Sequence, residues 1–132
     1  MESILLIDDD EALRVALRLA LERAGYSVVV ARGGREGLQL FRRLSQDLVL
    51  TDIVMQGQEG LETIQALQRE APGVKIIAMS GGGSHRDGSF LDAARLLGAQ
   101  QTLDKPLDLP HLLTAVRVVL HPEASPTNQE GH

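Results

Sequence analysis

The chain has 132 residues, 43% of them hydrophobic but only 2% aromatic, so one domain with an aliphatic core is expected. Its formal net charge is −5, from 18 acidic and 13 basic residues, and the bases are scattered, which argues against a nucleic-acid surface. There is no cysteine, which excludes disulfides and thiolate metal sites and agrees with a reducing compartment.

The N-terminus runs Ser3-Ile4-Leu5-Leu6-Ile7 straight into Asp8-Asp9-Asp10. It lacks the basic segment and long apolar run of a signal peptide, so a cytoplasmic location is expected. No apolar run approaches the roughly 20 residues that span a bilayer. Residues 4–7 predict a first buried strand. Residues 11–24 carry Leu13, Ala16, Leu17, Ala20 and Leu21 at helical spacing, and Gly25 stands where that helix ends. Residues 27–31 predict a second strand, 36–44 a shorter helix, and 47–51 a third strand through Leu48, Val49 and Leu50. A helix follows over 60–70, broken by Pro72 and Gly73. The fourth strand is expected at 74–79, a Gly- and Ser-rich loop at 81–88, and a helix at 90–97 stopped by Gly98. A short fifth strand at 101–103 and a last helix at 109–120, with Pro110 in its first turn, complete the pattern. The domain is thus expected over residues 1–120. Residues 121–132 show no apolar period and are expected to form a flexible tail.

Five strands alternating with five helices predict an α/β fold, a doubly wound parallel sheet covered on both faces. Its strands read as continuous aliphatic runs, as doubly covered strands do. Ligands of such sheets bind at the carboxyl ends of the strands. There the sequence places Asp8 and Asp9 after the first strand, Asp52 after the third, Ser80 after the fourth, and Asp104, Lys105 and Pro106 after the fifth. Two carboxylates about 4 Å apart repel by about 4 kcal/mol at an effective dielectric near 20, so such a cluster takes up a proton or a cation. Oxygen donors without His or Cys favour Mg²⁺ or Mn²⁺. A lysine and a hydroxyl beside it suit phosphoryl oxygens, and a carboxylate can itself be the nucleophile. Taken singly, each residue has a plainer explanation as a cap or turn former, and for Asp10 and Asp47 that explanation is preferred.

On Ile4–Asp10, residues 47–55, Ile76-Ile77-Ala78-Met79-Ser80, Leu97-Gly98-Ala99 and Lys105-Pro106, the sequence resembles the receiver domain of two-component response regulators. The likeness runs from residue 3 to about 120. It implies the flavodoxin-like strand order 2-1-3-4-5 and a cis Lys105–Pro106 bond. It also implies that Asp52 is the phosphoacceptor. Asp8, Asp9, Asp52 and the backbone carbonyl of Val54 would then hold Mg²⁺ (or Mn²⁺), with Ser80 and Lys105 on the phosphoryl group. A sensor histidine kinase or a histidine phosphotransfer protein would be the donor. An unidentified protein would be the target, docking on the face of the fourth helix, fifth strand and fifth helix. Such a chain is a phosphorelay switch rather than an enzyme acting on other substrates, a phosphoprotein that catalyses only its own phosphorylation and dephosphorylation, as a single-domain regulator.

The sequence departs from that pattern at Thr102, usually aromatic, at Gln56, usually proline, and in a longer loop at Gly81–Gly88. Ordering of this loop is expected to replace the aromatic switch. The apolar Val54 and tiny Gly82 cannot position a hydrolytic water with their side chains, so slow self-dephosphorylation is expected. A phosphorylation-independent docking module is the alternative function. A P-loop is rejected because Ser89-Phe90 stand where Lys and Ser/Thr are needed. His85, His111, His121 and His132 show no metal spacing.

Overall fold

The computed structural model describes residues 1–53, 59–81 and 89–124. Five parallel strands, β1 (Ser3–Ile7), β2 (Ser27–Ala31), β3 (Leu48–Asp52), β4 (Ile76–Ser80) and β5 (Gln101–Asp104), form one sheet in the order β2-β1-β3-β4-β5. The helices between and after them are α1 (Glu11–Arg23), α2 (Gly34–Arg43), α3 (Glu59–Glu70), α4 (Ser89–Leu96) and α5 (Leu109–Leu120). The expected doubly wound α/β fold with order 2-1-3-4-5 is the observed one.

The sheet divides the core in two because successive strand side chains point to opposite faces. Ile4, Leu6, Leu48, Leu50, Ile77 and Met79 pack with Leu17 and Leu21 of α1 and Leu112, Val116 and Val119 of α5. Leu5, Ile7, Val49, Ile76 and Ala78 pack on the other side with Ile64 and Leu67 of α3 and Ala94 of α4. Both faces of the central strands β3 and β4 are buried throughout. Each fully buried aliphatic side chain contributes about 1.5–3 kcal/mol, so these runs drive the fold without aromatic residues.

Element ends differ from expectation for local reasons. Val74 does not join β4, since its N–H donates to Ala71 O at 2.9 Å and closes the turn after α3. The helix α2 starts at Gly34, ahead of the expected 36, because Glu36 Oε1 accepts the Arg32 N–H at 2.8 Å and caps it from within its first turn. Asp10 is the N-cap of α1 and accepts the Leu13 N–H at 3.2 Å, the plainer role assigned to it. Gly98 follows α4 with φ +118°, a left-handed conformation suited to glycine. The first residues of the expected tail form a short 3₁₀ turn, Pro122–Ala124, and His121 Nε2 lies 2.9 Å from Glu2 Oε1. Among the described residues no helix is long and apolar enough to cross a membrane.

The register decides what gathers at the carboxyl edge. Ile7 pairs with Thr51, Asp52 with Met79, and Ser80 with Asp104. Asp8, Asp52, Ser80 and Lys105 therefore emerge side by side on four adjacent strands.

Candidate functional site

Asp52 and Ser80 are the last residues of their strands and are buried, at 3% and 4% exposure. Asp8 is fully buried, whereas Asp9 is exposed. The close approach of α3 shapes this end of β3. A Cβ on Gly60 would fall 2.1 Å from the Ile53 Cα, so only glycine lets the helix approach the Ile53 backbone, one residue after Asp52, this closely.

The carboxylates of Asp8, Asp9 and Asp52 offer oxygens that all lie within 4.8 Å of one another. Lys105 Nζ donates to Asp8 Oδ2 at 2.8 Å and to Asp52 Oδ2 at 3.1 Å. Burial pulls the Lys105 ammonium down. The Asp8 hydrogen bond and the charges of Asp52 and Asp8 more than offset this, so its pKa is raised and it stays protonated. Asp8 Oδ1 accepts the Asp10 N–H at 2.9 Å, so both oxygens of this carboxylate are held. Lys105 itself is placed by its N–H, which donates to Ser80 O at 2.8 Å, and by the cis bond to Pro106. The Ser80 hydroxyl donates to Gly81 O at 3.3 Å, at the mouth of the same cleft.

Three carboxylates face one ammonium, which leaves an excess of negative charge in a largely buried site. The donor set contains oxygen alone, as a hard divalent cation prefers. Ligands on one Mg²⁺ ion lie at most about 4.2 Å apart, so a small contraction of the cluster accommodates it. Asp8, Asp9 and Asp52 thus fit such an ion.

Of the residues singled out in the sequence, Asp8, Asp9, Asp52 and Lys105 are brought into one cluster, and Ser80 lies on the strand next to Lys105. The carbonyl of Val54, Gln56 and the loop from Gly82 to Gly88 lie outside the described residues. His111 is exposed, as a solvated surface residue should be. Two neighbours were not signalled. Thr51 is buried beside Asp52 and its hydroxyl donates to Asp52 O at 3.1 Å. Arg14 donates to Asp8 O at 2.8 Å. A cation in the first turn of a helix, where the dipole disfavours it, was the available clue to Arg14.

Comparison with known proteins agrees with this geometry. The family model described as "Response regulator receiver domain" matches residues 4–117. The chain is 36% identical over 126 residues to the transcriptional regulatory protein GlrR of Escherichia coli (strain K12), covering 96% of this chain and 28% of that protein. It is 35% identical over 120 residues to the transcriptional regulatory protein CpxR of the same organism, covering 91% of this chain and 50% of that one. The chain therefore spans about a quarter to a half of these relatives. Among solved structures it resembles a CheY-like receiver domain protein from Methanospirillum hungatei JF-1, with TM-score 0.84, 28% identity and 99% of each chain covered. It also resembles response regulator protein TrrA from Thermotoga maritima in complex with Mg(2+)-BeF, with TM-score 0.77, 30% identity, and 91% of this chain and 100% of that one covered. By sequence, fold and the convergence of its strand-end carboxylates, the chain belongs to the response regulator receiver domain family of two-component signalling.

Proposed function

We propose that Asp52 accepts a phosphoryl group from a phosphohistidine donor and that the resulting change in charge switches partner binding. The observation that carries this reading is the approach of three carboxylates to within 4.8 Å with the Lys105 ammonium bridging two of them. An Asp52 carboxylate oxygen attacks phosphorus in line. A P–O bond forms, the P–N bond breaks, and its electron pair returns to the donor imidazole. Asp8, Asp9 and Asp52 would hold Mg²⁺ (or Mn²⁺), which would supply neutralisation of the phosphoryl and carboxylate charge. Lys105 exchanges one carboxylate contact for a phosphoryl oxygen, and the Ser80 hydroxyl turns from Gly81 toward another. The chain thus acts as a signalling switch that catalyses only its own phosphorylation and dephosphorylation.

The donor is a sensor histidine kinase or a histidine phosphotransfer protein, in the cytoplasm, and the target is a protein. Residues 1–120 constitute the receiver and 121–132 a tail. The test is intact mass after incubation with Mg²⁺ and acetyl phosphate, beside Asp52→Asn. One phosphoryl adduct that needs Mg²⁺ and vanishes in the variant is the expected result. No adduct on folded, Mg²⁺-binding protein would favour a docking module that works without phosphorylation.

A further inference from the structure

Asp8 is fixed at four points. Its N–H donates to Ala31 O at 3.1 Å and its two carboxylate oxygens accept from Asp10 N–H and Lys105 Nζ. Its carbonyl accepts from Arg14 Nη1 at 2.8 Å. Asp9 follows directly, is exposed, and its carboxylate makes no hydrogen bond among the described residues. The direction of the Asp9 side chain is therefore set by its backbone. The peptide joining Asp8 to Asp9 is planar, so a bond that fixes the Asp8 carbonyl also fixes the Asp9 nitrogen and Cα, and the Asp10 N–H bonded to Asp8 Oδ1 restrains the chain on the other side of that Cα. Among the described residues, the side-chain hydrogen bond on that carbonyl comes from Arg14, an always-charged, partly buried side chain in the first turn of α1. The helix dipole disfavours a cation there, so helix stability does not account for its position.

We propose that Arg14 is a positioning residue for the divalent-ion site, holding the Asp8–Asp9 peptide so that the Asp9 carboxylate joins those of Asp8 and Asp52. This rests on the reading of these three residues as ion ligands. Two opposite effects of Arg14 on cation binding have different signs. As a nearby positive charge alone, Arg14 repels a divalent ion, and its removal tightens binding. As the anchor of the Asp8–Asp9 peptide, its removal weakens binding, because an unrestrained Asp9 must be ordered by the ion itself. Loss of groups that orient metal ligands typically weakens affinity by roughly tenfold or more, which exceeds the screened repulsion of one partly exposed charge.

The experiment is titration calorimetry of Mg²⁺ into the full chain, with Arg14→Gln, Arg14→Lys and Asp52→Asn beside the wild type. Thermal unfolding in EDTA is run on each. The expected result is a roughly tenfold higher Kd in Arg14→Gln. Arg14→Lys, which keeps the charge but not the planar fork, should fall between it and the wild type. A purely structural role would lower the melting temperature and leave the Kd of the folded protein unchanged. An unchanged or lower Kd in Arg14→Gln, with the wild type binding Mg²⁺, overturns the proposal. If Arg14→Gln does not fold, Arg14→Lys decides by the same comparison, since at constant charge only lost geometry can raise the Kd. Failure of the wild type to bind Mg²⁺ would instead overturn the ion-site reading and this inference with it.

Discussion

Replacing Asp52 by Asn tests the electrostatic account of the site most directly, because large terms oppose one another there. The substitution removes an attraction to Lys105 Nζ at 3.1 Å. That attraction is worth about 5 kcal/mol at an effective dielectric near 20. It also removes repulsion from Asp8 and Asp9, whose oxygens lie within 4.8 Å of those of Asp52. Each of these is about 3.5 kcal/mol at the same dielectric, but Asp9 is exposed and its share is screened to about 1 kcal/mol. Attraction and repulsion thus nearly cancel. What remains is the cost of keeping a charge on a side chain that is 5% exposed, several kcal/mol before relaxation, which Asn does not incur. Asn retains an oxygen for Lys105, and Lys105 keeps Asp8, so no buried charge is orphaned.

We expect Asp52→Asn to be more stable than the wild type by about 1–2 kcal/mol in EDTA. In saturating Mg²⁺ the order should reverse, because a ligand at 100 times its Kd adds about 2.7 kcal/mol to the form that binds it. The assay is urea unfolding followed by far-ultraviolet circular dichroism, since the chain has one tyrosine and no tryptophan. An Asp52→Asn protein less stable than the wild type in EDTA would refute the reasoning. It would mean that the Lys105–Asp52 pair outweighs both repulsion and desolvation.

Lys105→Met strips one partner from Asp8 and Asp52 together and should cost about 3 kcal/mol in EDTA, largely restored by Mg²⁺. The same change should slow adduct formation from acetyl phosphate roughly a hundredfold, read by intact mass. Gly60→Ala places a methyl group against the Ile53 backbone and should cost at least about 1–3 kcal/mol in urea unfolding, with slower phosphorylation as the end of β3 shifts. The His121 pKa is raised by its hydrogen bond to Glu2, with burial opposing and the charges of Glu2 and Glu123 adding. Its contribution is therefore fully present below the unfolded value of 6.5 and is lost as pH rises through the higher folded value. The melting-temperature gap between the wild type and His121→Gln should accordingly be widest below pH 6.5 and close as pH rises through the folded value.

How much of this was legible in the sequence depends on the range of the forces involved. The strands were plain because five short aliphatic runs cannot be satisfied except inside a covered parallel sheet. Their exact ends were not, since Val74 looks like strand until its N–H is seen closing a turn on Ala71. The clustering of Asp8, Asp9, Asp52 and Lys105 followed from one rule about strand ends. The particular bonds did not, because Lys105 meets Asp8 across 97 residues and Asp52 across 53. No pattern in a linear sequence marks such a pair, and the same holds for His121 on Glu2, 119 residues apart.

Thr102 shows the limit most clearly. The resemblance leads one to expect an aromatic side chain here, and the sequence alone shows only that it is missing. In the structure the Thr102 hydroxyl accepts from Arg95 Nη2 at 2.7 Å, while Arg95 Nη1 donates to Asp92 at 3.0 Å. A guanidinium on α4 thus ties that helix to β5 at the position where a ring would pack. The tie is polar and largely exposed, so it is worth no more than about 1 kcal/mol and breaks easily. An aromatic ring in the same place would couple β5 to its surroundings by burial, with one position favoured strongly over another. With threonine, the two elements are joined by a contact that solvent can replace. β5 carries that contact at Thr102 and, at its carboxyl end, leads directly into Lys105, whose N–H is bonded to Ser80 and whose ammonium is bonded to Asp52. The strand that meets the proposed phosphoryl site is therefore the same strand that holds α4, and it does so through hydrogen bonds at both ends rather than through packed volume.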